Sequence, residues 1–472
     1  MLFWSGEGPP RGRGSRCLSF VLLVWVFVMP QAARAQSSEE RIQKLEQEVA
    51  ALKAELAKLA APAAGPENPE LKQRLAEMER RIDILAGEIE QLKIGEAAAA
   101  ADTAMHGYGP AASKIYHTRQ GVSLGGYGES LYTHYAGRFD DGTRADVTNR
   151  LDLLRGVVYV GYRWNDRWLF NSELEWEHAN TDKGGEAALE FAYLDYLYRP
   201  ALSFRAGFLL MPVGFLNELH EPTVFLGAKR PDIEQKIIPT TWREGGLGLY
   251  GESGPFSYRA YLVSGLDATQ FTAEDGLAEG SAEGSNAKAN GLAGVARLDY
   301  TPAPGLLIGG SYYRGRSGQD LRFPSGRAIL VGTSLYEGHA EWKWRGLELR
   351  TLGVEAHLGD VAALDQELGL TGEQSIGERL RGGYVQIGYD LLSRAAQSQQ
   401  ALIPFARWES YNLQSAVPAG FAKDPENDIK SLTLGLNYRP FDSVVFKLDY
   451  QNYENRARTG LDEIHASVGY IF

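Results

Sequence analysis

Cysteine is almost absent. Cys17 is the single one in 472 residues, and it lies ahead of the apolar core of an N-terminal leader. Beyond that point the chain has no disulfide framework, no zinc–thiolate site and no thiol nucleophile. Long apolar runs are missing too. Leu18 to Met29 makes twelve residues, and no other stretch approaches the roughly 18–20 that a transmembrane helix needs. A bundle of membrane helices is thereby excluded. A membrane barrel is not, because its strands need only about 9–11 residues of alternating pattern. A mean hydropathy of −0.28 is compatible with it.

Excess positive charge is also lacking. The formal charge of −12 becomes −15 once residues 1–35, with four arginines and one glutamate, are removed. Such a chain is a poor nucleic-acid binder. His134, His178, His220, His339, His357 and His465 show neither H-x-x-x-H nor H-E-x-x-H spacing, so no metal and no cofactor are expected. No Ser/His/Asp set gathers as a barrel enzyme would require, and the chain reads as a non-enzyme. Gly246-Leu247-Gly248-Leu249-Tyr250-Gly251 fits G-x-G-x-x-G in letters only. A new strand is expected at Phe256, where a dinucleotide site needs a helix.

What is present falls into three parts. Residues 1–35 read as a secretory signal, with Arg11, Arg13 and Arg16 before the apolar run and Ala33-Arg34-Ala35 as the cleavage site. Residues 36–100 carry two heptad tracts. Ile42, Leu45, Val49, Leu52, Leu56 and Leu59 form the first; Leu71, Leu75, Met78, Ile82, Leu85, Ile89 and Leu92 form the second, after a break at Pro62–Pro69. That spacing predicts a coiled coil, either between copies or as a hairpin about the break. A solvent-facing helix is the plainer alternative. Residues 101–119 read as a linker.

From about residue 120 the period becomes two. Trp168, Phe170, Leu174 and Trp176 alternate with Asn171, Glu173, Glu175 and Glu177; Tyr336, Ala340, Trp342 and Trp344 with Glu337, His339, Glu341 and Lys343; Val444, Phe446, Leu448 and Tyr450 with Lys447, Asp449 and Gln451. Four tight turns share a grammar, as in Tyr198-Arg199-Pro200 and Tyr438-Arg439-Pro440. Longer polar connections lie between them. A soluble sandwich also alternates, but it does not place Trp and Tyr so regularly at strand ends. The prediction for residues 120–472 is an all-β, transmembrane antiparallel barrel of about 16 strands. An even count returns both ends of the barrel to one side. The chain ends Ile464-His465-Ala466-Ser467-Val468-Gly469-Tyr470-Ile471-Phe472. This resembles the terminal aromatic strand of bacterial outer-membrane barrels, the pattern read by the insertion machinery.

The longest connection, Met211 to Arg243, falls between the expected fifth and sixth strands, where the inward-folded third loop of general porins lies. It holds Leu219-His220-Glu221-Pro222, Lys229-Arg230-Pro231 and Ile237-Ile238-Pro239-Thr240-Thr241-Trp242-Arg243-Glu244. With Arg205-Ala206-Gly207 and Met211-Pro212-Val213-Gly214, these resemble the phosphate-selective porin O and P family over roughly residues 120–472. The resemblance implies a trimeric, 16-stranded outer-membrane channel for small anionic solutes, with the heptads in the periplasm.

An anion path needs Lys or Arg at its constriction to replace lost hydration. The candidates are Lys229, Arg230, Lys236, Arg243, Arg205 and Arg259, with Arg297 if its phase is lumenal. Glu218, Glu221, Asp232 and Glu234 cancel the loop's formal charge, and Glu173, Glu175, Glu337, Glu341 and Glu355 are expected on the lumenal phase. The alternative to a solute channel is a structural envelope protein whose barrel anchors a helix that touches peptidoglycan or a periplasmic partner.

Overall fold

In the computed structural model, the alternating runs close into one antiparallel sheet. The structure describes residues 38–60, 104–118, 120–181, 184–323, 325–394 and 400–472, with 74, 77–82 and 85 besides. The expected signal, the break between the heptad tracts and much of the second tract lie outside these. The chain divides into two units, 1–93 and 94–472. In the first, the leading heptad tract is helix α1 (Ser38–Ala60). Over residues 44–55 its a/d positions Leu45, Val49 and Leu52 are half-buried and the others exposed, so the stripe lies along one side.

The second unit holds β1 (Gly121–Tyr135), β2 (Arg150–Arg163), β3 (Trp168–Glu177), β4 (Ala187–Arg199), β5 (Leu202–Leu210), β6 (Arg243–Ser253), β7 (Phe256–Ser264) and β8 (Leu292–Ala303). It continues through β9 (Leu306–Arg316), β10 (Gly332–Trp344), β11 (Leu347–Leu358), β12 (Arg379–Tyr389), β13 (Ala401–Ala416), β14 (Asp428–Phe441), β15 (Val444–Asn455) and β16 (Glu463–Ile471). Each strand pairs with its sequence neighbours, and β16 pairs with β1, so the sheet is a closed barrel. The expected count of about 16 is met. Turns such as 164–167, 200–201, 254–255, 304–305 and 442–443 form one rim; the long connections, 211–242 among them, leave from the other.

Polarity runs opposite to that of a soluble protein. Leu151 is 81% exposed, and Leu124, Trp168, Leu298, Trp344 and Phe446 also face out. Glu129, Glu173, Asp195, Arg205, Asp299, Arg407 and Lys447 are buried inside. Leaving each large apolar side chain in water would forgo about 1.5–3 kcal/mol, so this band is made for acyl chains. Strands β3, β10 and β15 face as their sequences predict. The G-x-G-x-x-G run lies within β6. Glu355 departs from expectation. On β11 it is Leu352, Val354 and Ala356 that are buried, while Glu355 pairs at 2.6 Å with His357 on the exposed phase. Leu352, Val354 and Ala356 belong to the same buried apolar cluster as Ile233, Ile237 and Ile238 of the inward loop, and that cluster reverses the usual polarity of the inner face there.

The stretch expected as a linker, 101–119, enters the barrel over its described residues 104–118. Tyr108, Ala111, Ala112 and Ile115 are buried there among the lumenal side chains of β2–β7.

The seam closes through the terminal residue. Phe472 donates its N–H to the Gly126 carbonyl at 2.9 Å and accepts the Gly126 N–H at 3.0 Å. A Cβ on Gly126 would sit 2.3 Å from the Val157 carbonyl oxygen and 2.6 Å from the Phe472 ring. Overpacking of this kind costs about 1–3 kcal/mol or more. Gly126→Val is therefore expected to lower the folding equilibrium constant in lipid about tenfold, measured as a fall in the urea midpoint at which the heat-modifiable gel band is lost.

Candidate functional site in the barrel lumen

The 211–242 connection folds into the lumen instead of standing over it. Its apolar residues require this: Val213, Phe215, Ile233, Ile237, Ile238 and Trp242 are 6% exposed or less and form a core inside the barrel. Asn217 staples the neck. Its Nδ2 donates to the carbonyls of Met211 (2.7 Å) and Trp242 (2.9 Å), and its Oδ1 accepts the Trp242 N–H (2.6 Å). From there the loop crosses to the far wall. The Ala228 N–H meets Asp449 Oδ2 on β15 at 2.6 Å, Asn437 on β14 donates to the Leu226 carbonyl at 3.0 Å, and Lys229 pairs with Glu463 on β16. Glu234 accepts the Leu216 N–H (2.7 Å) and the Tyr384 hydroxyl (2.8 Å).

The six candidate cations occupy different settings. Arg205 is fully buried in an ion pair with Asp195 (2.8 Å), its guanidinium 4.3–4.6 Å from the ring centroids of Tyr108, Tyr193 and Tyr250. Arg259 bridges Glu218 (3.0 Å) and Asp299 (2.7 Å). Arg243 bridges Glu190 (3.1 Å) and Glu283 (2.7 Å), and Lys236 pairs with Asp275 (2.7 Å) near the surface. Lys229 and Arg230 come together at the loop tip. Arg230 donates to the Thr241 hydroxyl at 3.1 Å and has no ion pair among the described residues. Burial, and then the nearby Arg155 guanidinium, hold it below the ordinary arginine value.

Two cavities flank the loop. The one toward the long-connection rim, of about 190 Å³, is lined by Arg155, Lys229 and Arg230 against Glu129 and Glu177. The other, of about 640 Å³ on the turn side, has Arg297, Lys343, Arg350 and Arg439 against Glu341, Glu348 and Asp442. Each carries one more basic than acidic side chain. Elsewhere on the wall, His339 sits between Glu337 (2.8 Å) and Asp299 (2.9 Å), and His465 between Asp449 and Glu463 (both 2.7 Å).

Arg155, Arg350 and Arg407 are lumenal cations that sequence reasoning missed. The phase of Arg407 was available from its exposed neighbour Trp408. That of Arg155 was obscured by a register shift where β2 meets β1. Glu221 was seen only as a loop acid. Its carboxylate accepts the N–H groups of Ala111 (3.1 Å) and Ala112 (3.0 Å), and burial pushes its carboxyl up to about 7.

An uncharacterized protein of Aquifex aeolicus (strain VF5) is 36% identical to this chain over 377 residues, covering 78% of this chain and 83% of the other. The two chains belong to one family. No family model matches the chain. Among solved structures, Salmonella typhi OmpF aligns with 75% of this chain and 98% of its own at 13% identity and a TM-score of 0.48. The corresponding values for an anion-selective porin from Comamonas acidovorans are 75%, 100%, 11% and 0.46. For a loop-deleted OmpT, an outer membrane protein of Vibrio cholerae, they are 75%, 100%, 10% and 0.47. Likenesses this remote say nothing about what passes through the family's barrel.

Two outcomes follow from the lumenal geometry. Asp195→Asn leaves Arg205 charged and buried, so urea unfolding of vesicle-embedded protein should show a loss of about 3–5 kcal/mol, part of which Asp195→Asn/Arg205→Met recovers. Glu221 has its folded value raised, so its contribution is full below about pH 4.5 and lost as pH rises through 7. Between those limits the wild type should lose about 3 kcal/mol relative to Glu221→Gln, read from unfolding midpoints across pH.

Proposed function

We propose that this protein is an outer-membrane diffusion channel, a porin, for small hydrophilic solutes, preferring anions where the loop narrows it. The observation that carries the reading is the closed sixteen-stranded barrel with charge inside, grease outside and the 211–242 loop across its bore. Eight strands would be filled by side chains, whereas about 16 leave room for water. In this reading the long connections face outward, and the turn rim and helix α1 lie in the periplasm of a Gram-negative envelope.

Anion preference draws support from the basic excess at both cavities and from Arg230, which lacks a carboxylate partner among the described residues. The finer assignment, to the phosphate-selective porin O and P type, rests on the H-E-P and I-I-P-T-T-W-R-E runs and names small oxyanions as the solute class. The a/d stripe of α1 supports association of copies, as a homotrimer, through a coiled coil.

One observation favours the second reading, a barrel that only anchors the helix: lumenal groups such as Glu173, Asp195 and Glu409 are 0% exposed, so the bore is closely filled. Purified protein in a planar bilayer separates the two, since stepwise conductance supports the porin and a silent membrane the anchor. In a salt gradient, Lys229→Glu and Arg230→Gln should each lower the anion-to-cation permeability ratio at least about twofold. Unchanged reversal potentials would remove these residues from the path.

A further inference from the structure

The segment 104–118 does more than connect. It enters the turn-side half of the lumen and lies against β2–β7, where at least five separate contacts seat it. Tyr108 is fully buried, its ring centroid 4.9 Å from that of Phe191 and 5.1 Å from that of Tyr193. The Tyr116 hydroxyl donates to Asp195 (2.8 Å) and accepts from Arg205 (2.8 Å). Asn171 donates to the Ala112 carbonyl at 3.0 Å. Arg163 closes the exit by donating to the carbonyls of Tyr116 (2.9 Å) and Thr118 (3.1 Å). Glu221, on the constriction loop, accepts the two N–H groups of Ala111 and Ala112.

The fit leaves no slack. Gly107 has φ +94°, and a Cβ there would fall 2.2 Å from an Arg259 guanidinium nitrogen; a Cβ on Gly109 would fall 2.5 Å from the Glu221 carboxyl carbon. A tether that merely led to the barrel would have no reason to bury tyrosines or to abandon its backbone hydration. Ala104 and Pro110 help to line the turn-side cavity of about 640 Å³.

We infer that residues 104–118 are an internal stopper that narrows the turn-side half of the channel and braces the constriction loop through Glu221. The inference rests on the porin reading. Withdrawal of the stopper widens the bore and strips the loop of its brace at Glu221, while the loop's anchors on the far wall stay in place.

A reversible clamp in the full-length chain tests this. A Cβ on Gly109 lies 2.9 Å from the Glu221 Cγ, the place the sulfur of Glu221→Cys would take, within reach of a disulfide, and the only native cysteine is Cys17. Gly109→Cys/Glu221→Cys, oxidised, should give a single low unitary conductance in a planar bilayer, the reference for its own reduced form. Reduction with dithiothreitol should raise unitary conductance about twofold or more, and the reductant should leave wild type unchanged. Tyr108→Ala/Tyr116→Ala, which needs no cross-link, should show the same rise under any redox condition. Channels that conduct equally in all these forms overturn the stopper while leaving the porin intact. Silence in every form overturns the porin reading, and the stopper falls with it.

Discussion

An amide group facing hydrocarbon cannot go unpaired, and that single constraint organises the molecule. Sixteen strands satisfy it only when the last pairs with the first. The seam between β1 and β16 is therefore the condition for the whole wall, and the terminal Phe472 completes it with both of its backbone groups. Once closed, the wall has no edge, and each strand's two faces meet different solvents. Alternation in sequence then becomes a lipid belt outside and a charged lining inside.

The lining poses the opposite problem, since charge brought into a narrow lumen must find partners. Most lumenal cations described here do. Arg205, Arg243, Arg259 and Arg407 are each matched to carboxylates, on the same strand, on another strand or on the loop. Such pairs are costly to break singly and add little net stability when intact. Their effect is to fix positions. Against that background Arg230 at the loop tip differs, because it sits beside a cavity with no ion pair among the described residues, next to a Lys229 that is paired with Glu463.

Much of this was legible in the chain. Strand number, the rim of long connections and the site of the crossing loop follow from local signals: a period of two, Tyr-Arg-Pro turns and one connection too long to be a hairpin. What was not legible depends on distance along the chain. Glu221 and Ala112 are far apart in sequence, and nothing local in 104–118 says that it enters a lumen. Glu355 was placed on the wrong face because a strand covered inside by an apolar loop reads like a strand covered outside by lipid. The ion pairs follow the same rule, since a residue's phase is written beside it and its partner is not.

The loop tip is fastened to β15 and β16, the last two strands made. Ala228 waits for Asp449 and Lys229 for Glu463, more than two hundred residues later. Contacts of such separation form late, after the entropy of the intervening chain has been surrendered. During biogenesis, then, the gap left for the final hairpin and the unseated loop coexist, and both vanish in the same event. A nascent wall with its slot still open cannot yet hold its crossing loop in place.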